Sequence, residues 1–169
     1  PTQLFVHLSN SNLPIVLIDS MAQINKFDQV RANNYQGMYM GTEYILSKGH
    51  RQLVYVGDIR YSCSFLQRYH GCHDCIEHYN LYNPNDTAVC RFVLSSSENQ
   101  DTSTFNEDDF IQILDKGYLP TAILCANDYT ALHIYDLLYK KGLHIPDDIS
   151  VLGFDDVEKC KWITPPLTS

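Results

Sequence analysis

Short, unbroken apolar runs alternate along this chain with amphipathic stretches of helical spacing, and that rhythm admits few folds besides a parallel sheet with helices packed on its faces. The run Pro14-Ile15-Val16-Leu17-Ile18 is β-branched and ends at Asp19, as expected of a strand buried on both faces. Asp28 to Ala32 reads as a weaker strand; Asn33 and Asn34 are placed to cap a helix over 35–48, and Gly49 to close it in a left-handed turn. A strand over 52–57 follows, then a helix over 64–79, a strand over 88–93, a helix over 107–116, a strand over 121–126, a helix over 129–141 and a strand over 149–154. The fold class is therefore α/β. Between Leu94 and Asp109 the composition turns to Ser, Thr, Asn, Asp and Glu, which reads as a solvated loop with Phe105 as its apolar residue. The chain starts just ahead of a strand and stops soon after Pro165-Pro166, so the expectation is a core incomplete at both ends.

Composition narrows the function. The 169 residues carry a net charge of −8, so a surface spread over this chain repels phosphate backbones and direct nucleic-acid binding by it is excluded. No apolar stretch approaches bilayer length and the first residues lack the layout of an export signal, which makes a cytoplasmic protein without membrane contact the expectation. Six cysteines are scattered through hydrophobic segments and read as reduced core thiols. The cluster His70-Gly71-Cys72-His73-Asp74-Cys75-Ile76-Glu77-His78 superficially offers Cys-x-x-Cys with three histidines, but on a helix Cys72 and Cys75 share one stripe with Arg68 and Tyr79 while the histidines spread over other directions. No metal and no cofactor is expected.

Open parallel sheets bind ligands outside the carboxyl ends of their strands. Those ends carry Asp19, Asn33-Asn34, Gly57-Asp58, Asn127-Asp128 and Asp155-Asp156, amides and carboxylates suited to a neutral, hydroxyl-rich ligand; no glycine-rich phosphate loop is present. Arg68, early in the helix after Ser62-Cys63-Ser64, is either a fork for hydroxyls or a carboxylate, or a surface ion-pair partner. Asp128 is expected to cap the helix that follows and Asn127 to face the cleft, with a plain turn role for Asn127 the alternative. One of Asp155 and Asp156 is expected to face ligand, the other a backbone amide or Lys159.

The segments Leu13 to Asp19, Asn33-Asn34-Tyr35-Gln36-Gly37, Gly49-His50-Arg51, Arg68-Tyr69-His70-Gly71, Pro120 to Asp128, Ile145-Pro146-Asp147-Asp148-Ile149-Ser150-Val151-Leu152-Gly153-Phe154-Asp155-Asp156 and Pro165-Pro166-Leu167-Thr168 resemble, in order and spacing, the effector-binding core of the lactose-repressor/galactose-repressor family. The resemblance implies two Rossmann-like, periplasmic binding protein-like subdomains: 1–59 part of the N-terminal one, 60–156 the C-terminal one and 157–169 a hinge or return segment, with a DNA-binding headpiece outside the chain. By the same resemblance Arg68, Asn127 and Asp155 hold effector hydroxyls, Asn34 faces them from the other subdomain, Ser62 and Ser64 lie beside the hinge, and Phe105 is the candidate stacking ring. The family commonly shows Asp-Asn where this chain has Asn33-Asn34.

What this implies is a non-enzymatic, ligand-responsive transcriptional regulator, a repressor in type, that binds a sugar-like effector and acts on operator DNA through the headpiece. A homodimer is implied, with Leu132, Trp162 and Ile163 candidate interface residues beside Tyr135, Leu138 and Tyr139; packing on their own sheet is the alternative. The competing readings are a solute-binding protein of a sugar transporter and a glycoside-acting enzyme using Asp155 and Asp156.

Overall fold

The computed structural model describes residues 2–11, 13–19, 27–94 and 105–169, and the chain divides into two compact units, Pro1–Asn33 and Asn34–Ser169. The smaller unit holds α1 (Thr2–Ser9) and two parallel strands, β1 (Val16–Ile18) and β2 (Asp28–Val30), with Leu17 opposite Gln29. Helix α1 was not anticipated; eight residues is below the length at which a helix declares itself in sequence. Nor is β1 buried on both faces: Val16 is 56% and Ile18 80% exposed, because among the described residues β1 pairs with β2 alone and a two-stranded sheet hides little.

The larger unit contains α2 (Asn34–Ser47), β3 (Gln52–Val56), α3 (Cys63–Tyr82), β4 (Val89–Val93), α4 (Glu107–Asp115), β5 (Ala122–Cys125), α5 (Asp128–Lys140) and β6 (Ser150–Leu152), followed by a 3-10 turn over Glu158–Lys161. Its four strands are all parallel, in the order β4-β3-β5-β6, with Val54 opposite both Arg91 and Ile123. Successive residues of a strand face opposite sides, and the core follows that period of two. Leu53 and Tyr55 pack with Ala122, Leu124 and the inward faces of α2 and α3, whereas Val54 and Val56 pack with Ile123, Cys125 and the inward faces of α4 and α5. Each large side chain so buried contributes roughly 1.5–3 kcal/mol.

The boundary between units falls at residue 33, not near 59 as the resemblance suggested. Strand β3 is hydrogen-bonded to β4 on one side and β5 on the other, and α2 packs on α3, so both elements belong with the chain that follows them. The Gly57-Asp58 turn marks where a strand stops, and such a signal carries no information about which sheet the strand joins. At the other end Thr168 forms a parallel bridge with Leu152, and its carbonyl accepts from the Gly153 N–H at 2.8 Å, so the last residues run back beside β6.

Glycine decides how closely α2 and α3 approach. A Cβ built on Gly71 would lie 2.2 Å from the Tyr35 carbonyl oxygen, so only glycine lets the start of α2 settle on α3 at that height. Gly49 ends the same α2 hairpin with φ +91°, as the sequence suggested.

Candidate functional site

Arg68 lies one turn before Gly71 on α3, and the close helix crossing brings the first residue of α2 onto it. Its Nε donates to Asn34 Oδ1 at 2.8 Å, its Nη1 to the Ala126 carbonyl oxygen at the end of β5 at 2.7 Å, and its Nη2 pairs with Asp155 Oδ1 at 3.0 Å. The guanidinium plane stacks on Phe154, 3.8 Å from the ring centroid. Arg68 is 5% exposed, and a guanidinium withdrawn this far from water persists only when its charge and donors are met. Three elements of the larger unit meet it: α2, the end of β5 and the loop after β6.

Asn34 therefore does not face Arg68 from another subdomain. It belongs to the same unit, and its Nδ2 also donates to Gln67 Oε1 at 3.3 Å, so it orients the arginine from the side. The expected division of labour at Asn127-Asp128 is reversed as well. Asn127 is the cap of α5, its Oδ1 accepting from Thr130 N at 2.9 Å and Thr130 Oγ1 at 2.8 Å, while Asp128 is fully buried and bonded elsewhere. Either residue type caps a helix well, and the extended backbone of Asn127 (φ −156°) rather than side-chain chemistry selects it.

Asp155 follows β6 with φ +112° and its neighbour Asp156 with φ +49°. The carboxylate of Asp155 keeps 35% of its surface open while bonded to Arg68, whereas Asp156 pairs with Lys161 at 3.4 Å rather than with Lys159. Gly37, Met38, Gly41, Leu152, Phe154 and Asp155 line a cavity of about 250 Å³, so Asp155 has room beside it. A second, wider cleft of about 600 Å³ lies at the far edge of the sheet, between Arg60, Arg91, Leu94 and Lys116.

The remaining candidates separate. Ser62 caps α3, accepting from Phe65 N at 3.2 Å, and Ser64 is buried in the first turn of that helix. Phe105 is not a ring offered to ligand: it is fully buried, meets Phe110 edge-on at a centroid distance of 6.2 Å, and packs 5.0 Å from His133, because a large apolar side chain in a polar stretch gains most by joining the core under α4 and α5. Residues 95–104, the rest of the expected polar loop, lie outside the described residues. Trp162 and Tyr139 are 79% and 84% exposed and Leu132 and Ile163 half-buried, whereas Leu138 is spent in the core of its own unit.

Cys72 and Cys75 are buried on the core face of α3 as their spacing predicted. Burial, then Cys72 and Glu43, pushes the Cys75 thiol up to about 12, and burial raises Cys125 further, so both behave as small hydrophobes. His73 instead bonds Asp74 at 3.1 Å and His78 meets the Tyr39 hydroxyl at 3.2 Å. Among the described residues no group of three histidine, cysteine or acidic side chains is arranged to hold a metal ion. Two residues beside this cluster were undervalued from sequence: Phe154, taken as the end of a strand, stacks on Arg68, and Asp128, taken as a cap, bonds the loop that carries Asp155.

A family model of the periplasmic binding protein-like domain matches residues 42–169. The HTH-type transcriptional repressor PurR of Histophilus somni (strain 129Pt) is 30% identical over 162 residues, covering 94% of this chain and 45% of its own. A solved LacI-family regulator of Rhizobium etli, described as putative in its name, superposes with a TM-score of 0.76 at 25% identity, over 94% of this chain and 56% of its own. The lac repressor dimer bound to operator and the anti-inducer ONPF superposes with a TM-score of 0.68 at 27% identity, over 98% of this chain and 54% of its own. The chain thus spans about half the length of the curated relatives it matches.

Proposed function

The chain belongs to the periplasmic binding protein-like domain family, in the form that makes up the effector-binding cores of LacI/GalR regulators, and from that premise we propose that it is the ligand-sensing core of a transcriptional repressor. The observation that carries the proposal is the buried Arg68, bonded at once to Asn34, the end of β5 and Asp155, at the carboxyl ends of parallel strands. Asp155, held by the buried Arg68 and with 35% of its carboxylate surface open beside the cavity, suits a neutral ligand whose vicinal hydroxyls donate to the carboxylate, with the guanidinium close behind it. The effector is accordingly a sugar or glycoside, held without being transformed.

Operator DNA is contacted through a helix-turn-helix segment that this chain does not include, since a surface of net charge −8 is the wrong sign for phosphates. The working species is a homodimer, and the exposed Trp162 and Tyr139 with the half-buried Leu132 and Ile163 supply the apolar contact. An effector shifts such a regulator only through a difference in affinity between its two states. Asn34 lies in the same unit as Arg68 and so orients the arginine; it is not the group that reports closure.

A thermal-shift screen of mono- and disaccharides, phosphorylated sugars and nucleobases, followed by calorimetry with each stabilising compound, tests this reading. Saturable binding of a neutral sugar without product supports it; turnover of a glycoside, or stabilisation by nucleobases alone, overturns the effector class.

A further inference from the structure

Asp128 sits at the first position of α5 yet spends nothing on that helix, because Asn127 already caps it. Its side chain is fully buried and turned toward the loop after β6. Oδ1 accepts from the Phe154 N–H at 2.8 Å and from Ser169 Oγ at 2.7 Å, Oδ2 accepts from the Val157 N–H at 2.7 Å, and the Asp128 N–H donates to the Phe154 carbonyl at 2.9 Å. Two main-chain amides flanking Asp155 and Asp156 are thus held by one carboxylate, and the bracketed pair is the place where the backbone takes φ values of +112° and +49°. Gly153 belongs to the same arrangement: a Cβ there would lie 2.2 Å from Asp128 Oδ1.

From this geometry we infer that Asp128 is the positioning residue of the ligand site, clamping the 154–157 loop so that Asp155 stands at ion-pair distance from Arg68. The inference rests on the reading of Arg68 and Asp155 as the effector-binding pair. A carboxylate is the side chain the clamp needs, since it offers two acceptor oxygens and no donor, and here both oxygens are engaged by N–H or O–H groups. Asparagine has the same shape but replaces one acceptor by an NH2 group, which opposes an amide N–H instead of receiving it. Asp128 touches neither Arg68 nor the cavity beside Asp155; its effect on ligand passes through the loop.

Asp128→Asn in the full-length protein tests this with no ligand needed. Amide hydrogen exchange at Phe154 and Val157 is expected to quicken about tenfold, while Val54 and Tyr55 in the central strand exchange as in the wild type. A crystal structure of the same variant is expected to show Asp155 outside 4.0 Å of the Arg68 guanidinium. A uniform rise in exchange across strand and loop, or an unmoved Asp155, would mean that Asp128 only stabilises the fold and overturns the inference. Ser169→Ala removes one donor to Oδ1 together with the acceptor of the Asp156 N–H at 3.0 Å, so this milder second variant is read at the two amides that Asp128 itself holds: a few-fold faster exchange at Phe154 and Val157 supports the clamp, and unchanged exchange at both counts against it. Because the readout is exchange and geometry, it stands or falls separately from the sugar screen.

Discussion

The two halves of α3 hold most of the chemistry-bearing side chains that are dense in sequence, and they put them to opposite uses. The first half, Ser62 to Arg68, contributes one capping hydroxyl and one arginine whose partners come from residues 34, 126 and 155. The second half, Gly71 to Tyr82, carries Cys72, Cys75, His73, His78 and Asp74; its thiols disappear into the core while its imidazoles and carboxylate bond one another and the α2 tyrosines Tyr35 and Tyr39 in partly exposed, pairwise contacts. Density along the chain thus marks a helix with a core face and a polar face. Convergence of residues distant in sequence on a buried charge marks a site.

That contrast is broken most severely by Arg68→Met. Removing the guanidinium strands Asn34 Oδ1, the Ala126 carbonyl and a carboxylate that is about two-thirds buried, and the expected loss is about 2–3 kcal/mol of folding free energy, measured by urea denaturation, together with loss of effector binding. Asp155→Ala sharpens the comparison from the ligand side. Calorimetry with the sugar identified by the screen is expected to show about 1–3 kcal/mol of lost affinity, and the urea midpoint is expected to fall as well, because the buried Arg68 guanidinium loses the carboxylate that met its charge. Cys72→Ser belongs to the other half of the helix and is expected to act on stability alone: it puts a hydroxyl at a fully buried apolar position, costs about 1–2 kcal/mol in the same urea experiment, and leaves sugar affinity as it was.

The smallest effect is a pH dependence confined to the second half of α3 and its contacts. Hydrogen bonds from Arg51 and Tyr79 hold the Asp86 carboxyl below its ordinary value of 3.8, and those from His73 and Tyr35 do the same for Asp74 despite some opposing desolvation. A depressed folded-state value means that the unfolded chain takes up its proton first, so this stabilisation is complete above the ordinary carboxylate range and is lost as pH falls through the depressed values. Melting temperatures recorded at successive pH values below about 4 are expected to fall less steeply for Asp86→Asn than for the wild type. Equal slopes would show that the exposed contacts of this half carry no net stabilisation.

Much of the architecture was legible because periodicity is written locally. The run Gln52 to Val56 and the run Ala122 to Cys125 are apolar on both faces, and both proved to be inner strands. The stripe of Cys72 and Cys75 with Arg68 faces inward as spacing required. Partnership was not legible. No local pattern says that β3 pairs with β4 and β5, and so the unit boundary was expected some 26 residues too late; Asn34 consequently appeared on the wrong side of the ligand. The exchange of roles between Asn127 and Asp128 has the same origin, since a cap is chosen by backbone angles and by what lies across from the side chain. Phe105 was misjudged because the polarity of its neighbours outweighed its own apolar surface, which the core beneath α4 recovers.

The most direct test is a crystal structure of the protein with the sugar that most stabilises it. Ring hydroxyls are expected within hydrogen-bonding distance of the Arg68 guanidinium and the Asp155 carboxylate, next to Phe154. A sugar seated instead in the cleft between Arg60, Arg91 and Lys116, with Arg68 and Asp155 untouched, would contradict it.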